Sequence, residues 1–341
     1  MLNKNLLLDI NWIKEDKNQR LIYLPPFYKL YENISNLLSQ KIENEGYQRV
    51  YLDEDFLFEN EEYSYYFNNK KYVELRYRNS NFELSKHKTL DMLSLFENFL
   101  HEQLALPCLS GKIVSNKDSK FANYIKVNGE YFKVSELSYE EGKVEGKFNL
   151  DVVNYMLDIH KDEIGFVTPN KVSFAQVCFL MENNPFAKDI KIVKSYIDEL
   201  ANLGIKAILD DSNLTMKEKI EKKSKEGIPL LIEVYHKNIE KNRYTLIIRY
   251  NNEKRKISLE DFKTFKNILF DLDHKMYQTQ FKKYLASEEK NIPCCMSDEC
   301  ISSLTEDNFE LVIPFMQSQN NDLCIICGQK SKKNIKKLKI I

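Results

Sequence analysis

Residues 203–240 read LGIKAILDDSNLTMKEKIEKKSKEGIPLLIEVYHKNIE. An apolar run at 205–209 (IKAIL) gives way to a charged stretch at 215–226, and a second apolar run follows at 229–235 (PLLIEVY). Short apolar runs bounded by turn residues predict strands, and the charged stretch between them predicts a helix. Working outward, 172–181 (VSFAQVCFLM) predicts another strand, 187–203 a helix, 243–257 a hairpin and 261–289 a long amphipathic helix. Strands separated by helices through short loops imply a compact α/β domain with a mainly parallel sheet.

The preceding half follows a different pattern. Residues 27–45 place Phe27, Leu30, Tyr31, Ile34, Leu37, Leu38 and Ile42 at helical spacing, Gly46 ends the run, and YQRVYL then predicts a strand. KYVELRYR (71–78) alternates as a second strand, and Leu90 through Leu104 mark a second helix over 88–104, closed by Pro107. From 121 to 150 short strands are expected, with Gly129, Gly142 and Gly146 as turns and Asn128-Gly129 as a hairpin signal. The fold class is therefore α+β in the first half and α/β in the second.

At 341 residues the chain exceeds one ordinary core. Lys+Arg 50 and Asp+Glu 51 nearly cancel, so overall charge favours no partner, and only local patches bear on nucleic acid. Seven cysteines, an odd number, argue for a reducing compartment. The first 20 residues do not read as a signal peptide, and no stretch approaches the roughly 20 apolar residues of a membrane span. A soluble, cytoplasmic protein is expected.

Cys295 and Cys300, then Cys324 and Cys327, form CxxxxC and CxxC pairs. Each pair can supply two corners of a tetrahedral thiolate site, so a structural zinc ion is expected. Cys294 can take the place of Cys295 in this register, and the fourth ligand stays open between them. The alternative is a set of ordinary buried cysteines.

The 203–240 segment resembles the anticodon-binding domain of class II prolyl-tRNA synthetases, through Gly204-Ile205, Asp210-Asp211, Gly227-Ile228-Pro229-Leu230 and Ile232-Glu233. The cysteine module, with IPCCMSDEC, VIPF at 312–315 and CIICG at 324–328, resembles the zinc-bearing C-terminal domain of the archaeal and eukaryotic-like branch. The first half is similar to a worn copy of the catalytic domain. LPPFYKLYENISNLLSQKIENEGYQRVYL resembles the first class II motif, which makes the dimer interface, and FENFLHEQLALPCLSGK the helix and strand after the second. Ser119-Lys120-Phe121-Ala122 and His160-Lys161-Asp162-Glu163-Ile164-Gly165 resemble later landmarks. The resemblance implies three parts: a reduced class II-like antiparallel-sheet domain (1–165), an anticodon-binding-type α/β domain (166–262) and a small zinc-bearing α+β domain (263–341).

The family's chemistry, activation of proline by ATP and transfer to tRNA, depends on arginines that hold phosphates and on magnesium. Here the stretch between Leu52 and Tyr72 is too short for the family's proline-recognising loop. Arg76 and Arg78 are the only candidates for the phosphate-binding arginine of the second motif, and a solvated strand face is the reading favoured for them. Counting back from Gly165 places Asp151 where the third-motif arginine belongs, and no arginine lies between Arg78 and Arg243. Asp53 replaces the proline that ends the first motif. The expectation is a synthetase-like protein without aminoacylation activity, ATP and magnesium being needed only if catalysis survives as in a divergent proline–tRNA ligase. The five histidines stand apart in sequence, and no P-loop, GxSxG or GxGxxG motif occurs.

What remains is RNA recognition. The resemblance places Asp211, Lys217, Lys219, Lys223, Glu233, Lys237 and Arg243 at a tRNA-binding surface, with Arg249 and the lysine-rich tail nearby in character. The lysine helix reads alternatively as a solvated face offset by Glu218, Glu221 and Glu226. Expected partners are tRNA or another RNA, and a second copy or a true synthetase through the 27–45 helix. Neither DNA nor a membrane is expected, and the remaining alternative is a structural subunit that binds no RNA.

Overall fold

A computed structural model describes residues 4–49, 64–68, 71–78, 82–115, 119–140, 143–258, 263–287, 289–317 and 322–340. It divides into two units of discontinuous sequence. The first takes in Met1–Ser35, Gln103–Ala105 and Val153–Thr279, and the second Asn36–Glu102, Leu106–Val152 and Gln280–Ile341.

The first unit is built on a five-stranded sheet in the order Ala207–Asp210, Val177–Met181, Leu230–Val234, Tyr244–Ile248, Glu253–Ile257. The first three strands run parallel and the last two form an antiparallel hairpin, so the sheet is mixed where a mainly parallel one was expected. Every side chain of Val177–Met181 is buried, as a strand covered on both faces requires. Val177, Phe179, Leu230, Ile232 and Leu246 pack on one face with Val193 and Leu200 of helix Ala187–Asn202 and Phe265 and Leu269 of helix Lys263–Ala286. Cys178, Leu180, Leu231 and Ile247 pack on the other with Met216 and Ile220 of helix Met216–Lys225.

The strand expected over 172–181 begins only at Val177. Its first residues are taken by a turn, with Val172 and Ser173 N–H donating to the Pro169 carbonyl and Ser173 Oγ to the Ala175 carbonyl. Gly227, at φ +74°, passes so close to Phe166 that a Cβ would stand 2.8 Å from its carbonyl oxygen. Only glycine meets both demands.

Helix Lys263–Ala286 carries a buried carboxyl, Asp273, which accepts the Asn170 backbone N–H at 2.8 Å and the Asn170 side-chain amide. Burial pushes its pKa up to about 6, although the Asn170 donors and Lys171 pull the other way. The native state therefore binds this proton more tightly than the unfolded chain. The stabilising contribution is complete below about pH 4 and is lost as pH rises through about 6. The stability of the wild type relative to Asp273→Asn is expected to fall by about 2 to 3 kcal/mol between about pH 4 and 7, read by urea unfolding. A flat difference would leave Asp273 with the same affinity for its proton in the folded and unfolded chain.

The second unit carries a ten-stranded sheet. Its order is Ile292–Cys294, Lys333–Lys339, Phe309–Pro314, Cys108–Ile113, Ser119–Val127, Glu130–Glu140, Lys143–Asn149, Tyr72–Arg78, Ser64–Asn68, Gln48–Arg49, antiparallel except for the last pair. Helix Phe82–Leu104 packs Phe96 and Phe99 on Phe148, with ring centroids 4.9 and 5.7 Å apart. The Asn128-Gly129 turn forms as expected, both residues at positive φ. Gly146 does not turn the chain. It lies inside Lys143–Asn149, where a Cβ would stand 3.2 Å from both Leu137 Cδ2 and Leu75 Cδ1, so its role is to let neighbouring side chains close over the strand. Of the YQRVYL run, Tyr47 is buried and Gln48–Arg49 is a strand, while Val50–Leu52, like Gly142 and Asp53, lie outside the described residues.

The lysine-rich tail is also a strand. In Lys333–Lys339 the buried residues include Ile335 and Leu338, Lys336 is 3% exposed and donates to the Glu289 carbonyl at 2.9 Å, and Lys337 pairs with Glu306. Lys330, Lys332, Lys333 and Lys339 of the tail remain exposed.

Candidate metal centre and nucleic-acid face

The cysteine module brings its thiols together from two tight turns. After strand Ile292–Cys294 the chain bends through Met296 at positive φ, and Ser297 caps helix Asp298–Leu304 by accepting the Cys300 N–H. In the second turn Gly328, at φ +72°, donates its N–H to the Cys324 carbonyl at 2.9 Å. The sulfurs of Cys295, Cys300, Cys324 and Cys327 all lie within 4.8 Å of one another, Cys295 and Cys327 at 3.6 Å. Thiolates at about 2.3 Å from a tetrahedral ion are separated by about 3.8 Å, so the constellation fits such an ion. Cys294, wholly buried and accepting the Met296 N–H at 3.4 Å, is not one of the four sulfurs gathered there, although it lies near Cys324.

Backbone N–H groups prepare the site. Those of Cys327, Cys295 and Ile326 point at the Cys324 sulfur and bring its pKa down to about 6 despite burial. Cys295 is lowered by the Ser297 hydroxyl and N–H. Ser297 also pulls on Cys300, yet burial and the neighbouring thiols push that group up to about 12. A divalent cation held by these four sulfurs would offset part of their charge and favour the thiolate form of each.

The second candidate surface lies at the carboxyl ends of the parallel strands, where open α/β sheets bind ligands. Glu182 follows Met181, Asp211 follows Asp210, and Tyr235-His236-Lys237 follows Val234. His236 is fixed from several sides: Nδ1 lies 2.8 Å from buried Asp189, its backbone N–H donates to Glu182 at 2.6 Å, and the Phe186 ring stands 4.8 Å away. Helix Met216–Lys225 opens with a capping box between Thr215 and Glu218.

Of the residues expected to meet RNA, Asp211, Lys217, Lys237 and Arg243 are exposed. Lys237 stands 5.5 Å above the Tyr235 ring. Lys219 is corrected: it is fully buried and donates to the Met181 carbonyl at 2.7 Å. Lys223 is likewise drawn inward, 3.0 Å from Glu226 and 4.0 Å from Asp210. Glu233 is half-buried and paired with Lys254 at 3.4 Å. Arg249 is 1% exposed, with a bidentate grip on Asp162, and offers nothing to a ligand.

On the ten-stranded sheet, a cavity of about 420 Å3 is lined by Glu74, Lys133, Ser135, Glu136, Glu145 and Lys147 among others. Both lysines are engaged. Lys133 bonds Glu136 and Glu310 at 2.6 Å each, and Lys147 stands 3.9 Å above the Tyr72 ring. Among the described residues no arginine lines this cavity. The backbones of Arg76 and Arg78 pair with Glu145 and Lys143, while their side chains lie outside the described residues. Asp151 is exposed at the entrance to helix Val152–His160, its N–H held by Asn149.

One association went unread in the sequence. His101 Nε2 lies 3.5 Å from Cys108 Sγ, and Glu97 completes a group of three ligating atoms. Glu97 and His101 stand one helical turn apart, and the chain turns after Leu104 through Ala105 at positive φ to bring Cys108 beside them, so the signal was an i, i+4 pair followed by a helix end.

Comparison with known proteins bears on the five-stranded sheet and its surface. Residues 176–266 match the family described as "Anticodon binding domain". The proline–tRNA ligase of Clostridium botulinum (strain Loch Maree / Type A3) is 23% identical over 302 residues, covering 73% of this chain and 62% of the relative. Proline–tRNA ligase 2 of Bacillus thuringiensis subsp. konkukian is 24% identical over 314 residues, covering 74% and 63%. The Mycoplasma mycoides subsp. mycoides SC proline–tRNA ligase is 22% identical over 296 residues, covering 74% and 61%. The chain thus spans about three fifths of the length of these relatives. It is similar to proline–tRNA ligases along most of its own sequence, and most specifically to an anticodon-binding domain at 176–266.

Proposed function

We propose that this prolyl-tRNA synthetase-like protein binds tRNA or another RNA through the 176–266 segment and does not aminoacylate it. It acts in the cytoplasm as an RNA-binding or regulatory subunit, pairing with a second copy or a true synthetase through the 27–45 helix. Strands of 1–165 and 263–341 share the ten-stranded sheet, 166–262 carries the five-stranded one, and Cys295, Cys300, Cys324 and Cys327 hold a structural zinc ion.

The observation that carries this reading is a contrast of charge. The carboxyl edge of the five-stranded sheet and its loops offer exposed Lys217, Lys237 and Arg243 beside Glu182 and Asp211, whereas in the cavity on the ten-stranded sheet Glu74, Glu136 and Glu145 face lysines already engaged, Lys133 by Glu136 and Glu310 and Lys147 by the Tyr72 ring. Carboxylates there repel a triphosphate. Filter binding of tRNA is expected to weaken on the order of 100-fold between about 50 and 200 mM salt. A Lys217→Ala, Lys237→Ala, Arg243→Ala variant is expected to flatten the salt slope by about 2 to 3. Salt-independent or absent binding contradicts the RNA reading. Proline-dependent ATP–pyrophosphate exchange is expected at background, and turnover above it contradicts the non-catalytic reading.

A further inference from the structure

We propose that Glu97, His101 and Cys108 form a second site for a thiophilic divalent cation of the zinc type, independent of the four-cysteine centre. A carboxylate oxygen, an imidazole nitrogen and a sulfur lie within 4.8 Å of one another, all three residues half-buried. Glu97 and His101 come from adjacent turns of helix Phe82–Leu104, and Cys108 opens strand Cys108–Ile113. The ligands therefore belong to two elements that an ion would clip together.

The spacing suits the ion. Bonds of about 2.3 Å to sulfur and about 2.05 Å to nitrogen in a tetrahedron place S and N about 3.6 Å apart. The observed separation of Cys108 Sγ and His101 Nε2 is 3.5 Å. The donor set is one that zinc accepts, with the fourth position left to water or an exogenous ligand. On binding, the Cys108 thiol proton passes to solvent as the S–metal bond forms. Behind the sulfur, Ser110 Oγ lies at 3.8 Å and itself accepts from the Asn123 amide at 2.7 Å, which fixes the cysteine's surroundings.

The test is a titration of the metal-free full chain with Co2+, reading ions bound per chain and the sulfur-to-cobalt absorption. The wild type is expected to take up two ions. Cys108→Ser and His101→Ala are each expected to take up one, with the four-thiolate spectrum unchanged. One ion in the wild type, or two in both variants, overturns the proposal. Should neither variant fold, alkylation of Cys108 in the wild-type chain decides the matter. Slowing by about tenfold or more on adding a second equivalent of Zn2+ supports the site, and unchanged reactivity overturns it.

Discussion

Chelation of the metal-loaded protein, or Cys324→Ser, is expected to unfold the 290–340 module while leaving the five-stranded sheet intact. Structural zinc sites contribute on the order of 10 kcal/mol, against Leu304, Leu311 and Ile335 beside the cysteines and Val312 and Leu338 packed on Leu109 and Ile113. Without the ion, four thiols crowded within 4.8 Å have no shared partner to hold the two turns together. Hydrogen exchange reads the outcome directly: amides of Ile292–Cys294 and Lys333–Lys339 lose protection, those of Val177–Met181 keep it. Cys294→Ser is the control, since that thiol lies outside the constellation and its loss costs only about 1 to 3 kcal/mol. Equal protection with and without chelator would leave the four thiols as ordinary core cysteines.

The second large effect is expected at Asp162. Arg249, 1% exposed, directs Nη1 and Nη2 to the Asp162 carboxylate at 2.7 and 2.6 Å and Nε to the Ser224 carbonyl at 2.6 Å. Asp162→Ala leaves a buried guanidinium without its counter-charge, a loss of about 3 to 5 kcal/mol in general. The Asp162 side chain is 38% exposed, so about 3 kcal/mol is the expected figure here. Arg249→Met removes the charge together with the bond and is expected to cost less. Burial alone raises the Asp162 pKa, but the Arg249 bonds outweigh it and hold the carboxyl below its ordinary value. The stabilisation is thus present at neutral pH and lost as pH falls through the carboxylate range. Denaturant midpoints of the two variants at pH 7 and pH 3 check both the ranking and its disappearance. If Arg249→Met proved the worse variant, packing rather than charge would govern the site.

The sequence made periodicity and spacing legible. Apolar runs at 205–209 and 229–235 announced the parallel strands, and two cysteine pairs announced a tetrahedral cluster. Individual cations were less legible, because lysine and arginine serve phosphate and core alike. Lys219 looks like its neighbours on the helix, yet it points inward to the Met181 carbonyl. Arg249 sits in the same basic and aromatic context as Arg243, but belongs to the core. Gly146 carried a turn signal and proved to be a space-saving strand residue, since the need for a missing Cβ depends on Leu137 and Leu75, which approach from other strands. The Cys108–His101 pair escaped because its members stand on different elements.

Strand Phe309–Pro314 lies between Lys333–Lys339 and Cys108–Ile113. During synthesis, Cys108–Ile113 therefore emerges from the ribosome about 200 residues before its outer neighbour. For that interval its unpaired N–H and C=O groups can recruit other nascent chains. A shortened product ending before residue 309 would keep this liability permanently and is expected to be prone to aggregation.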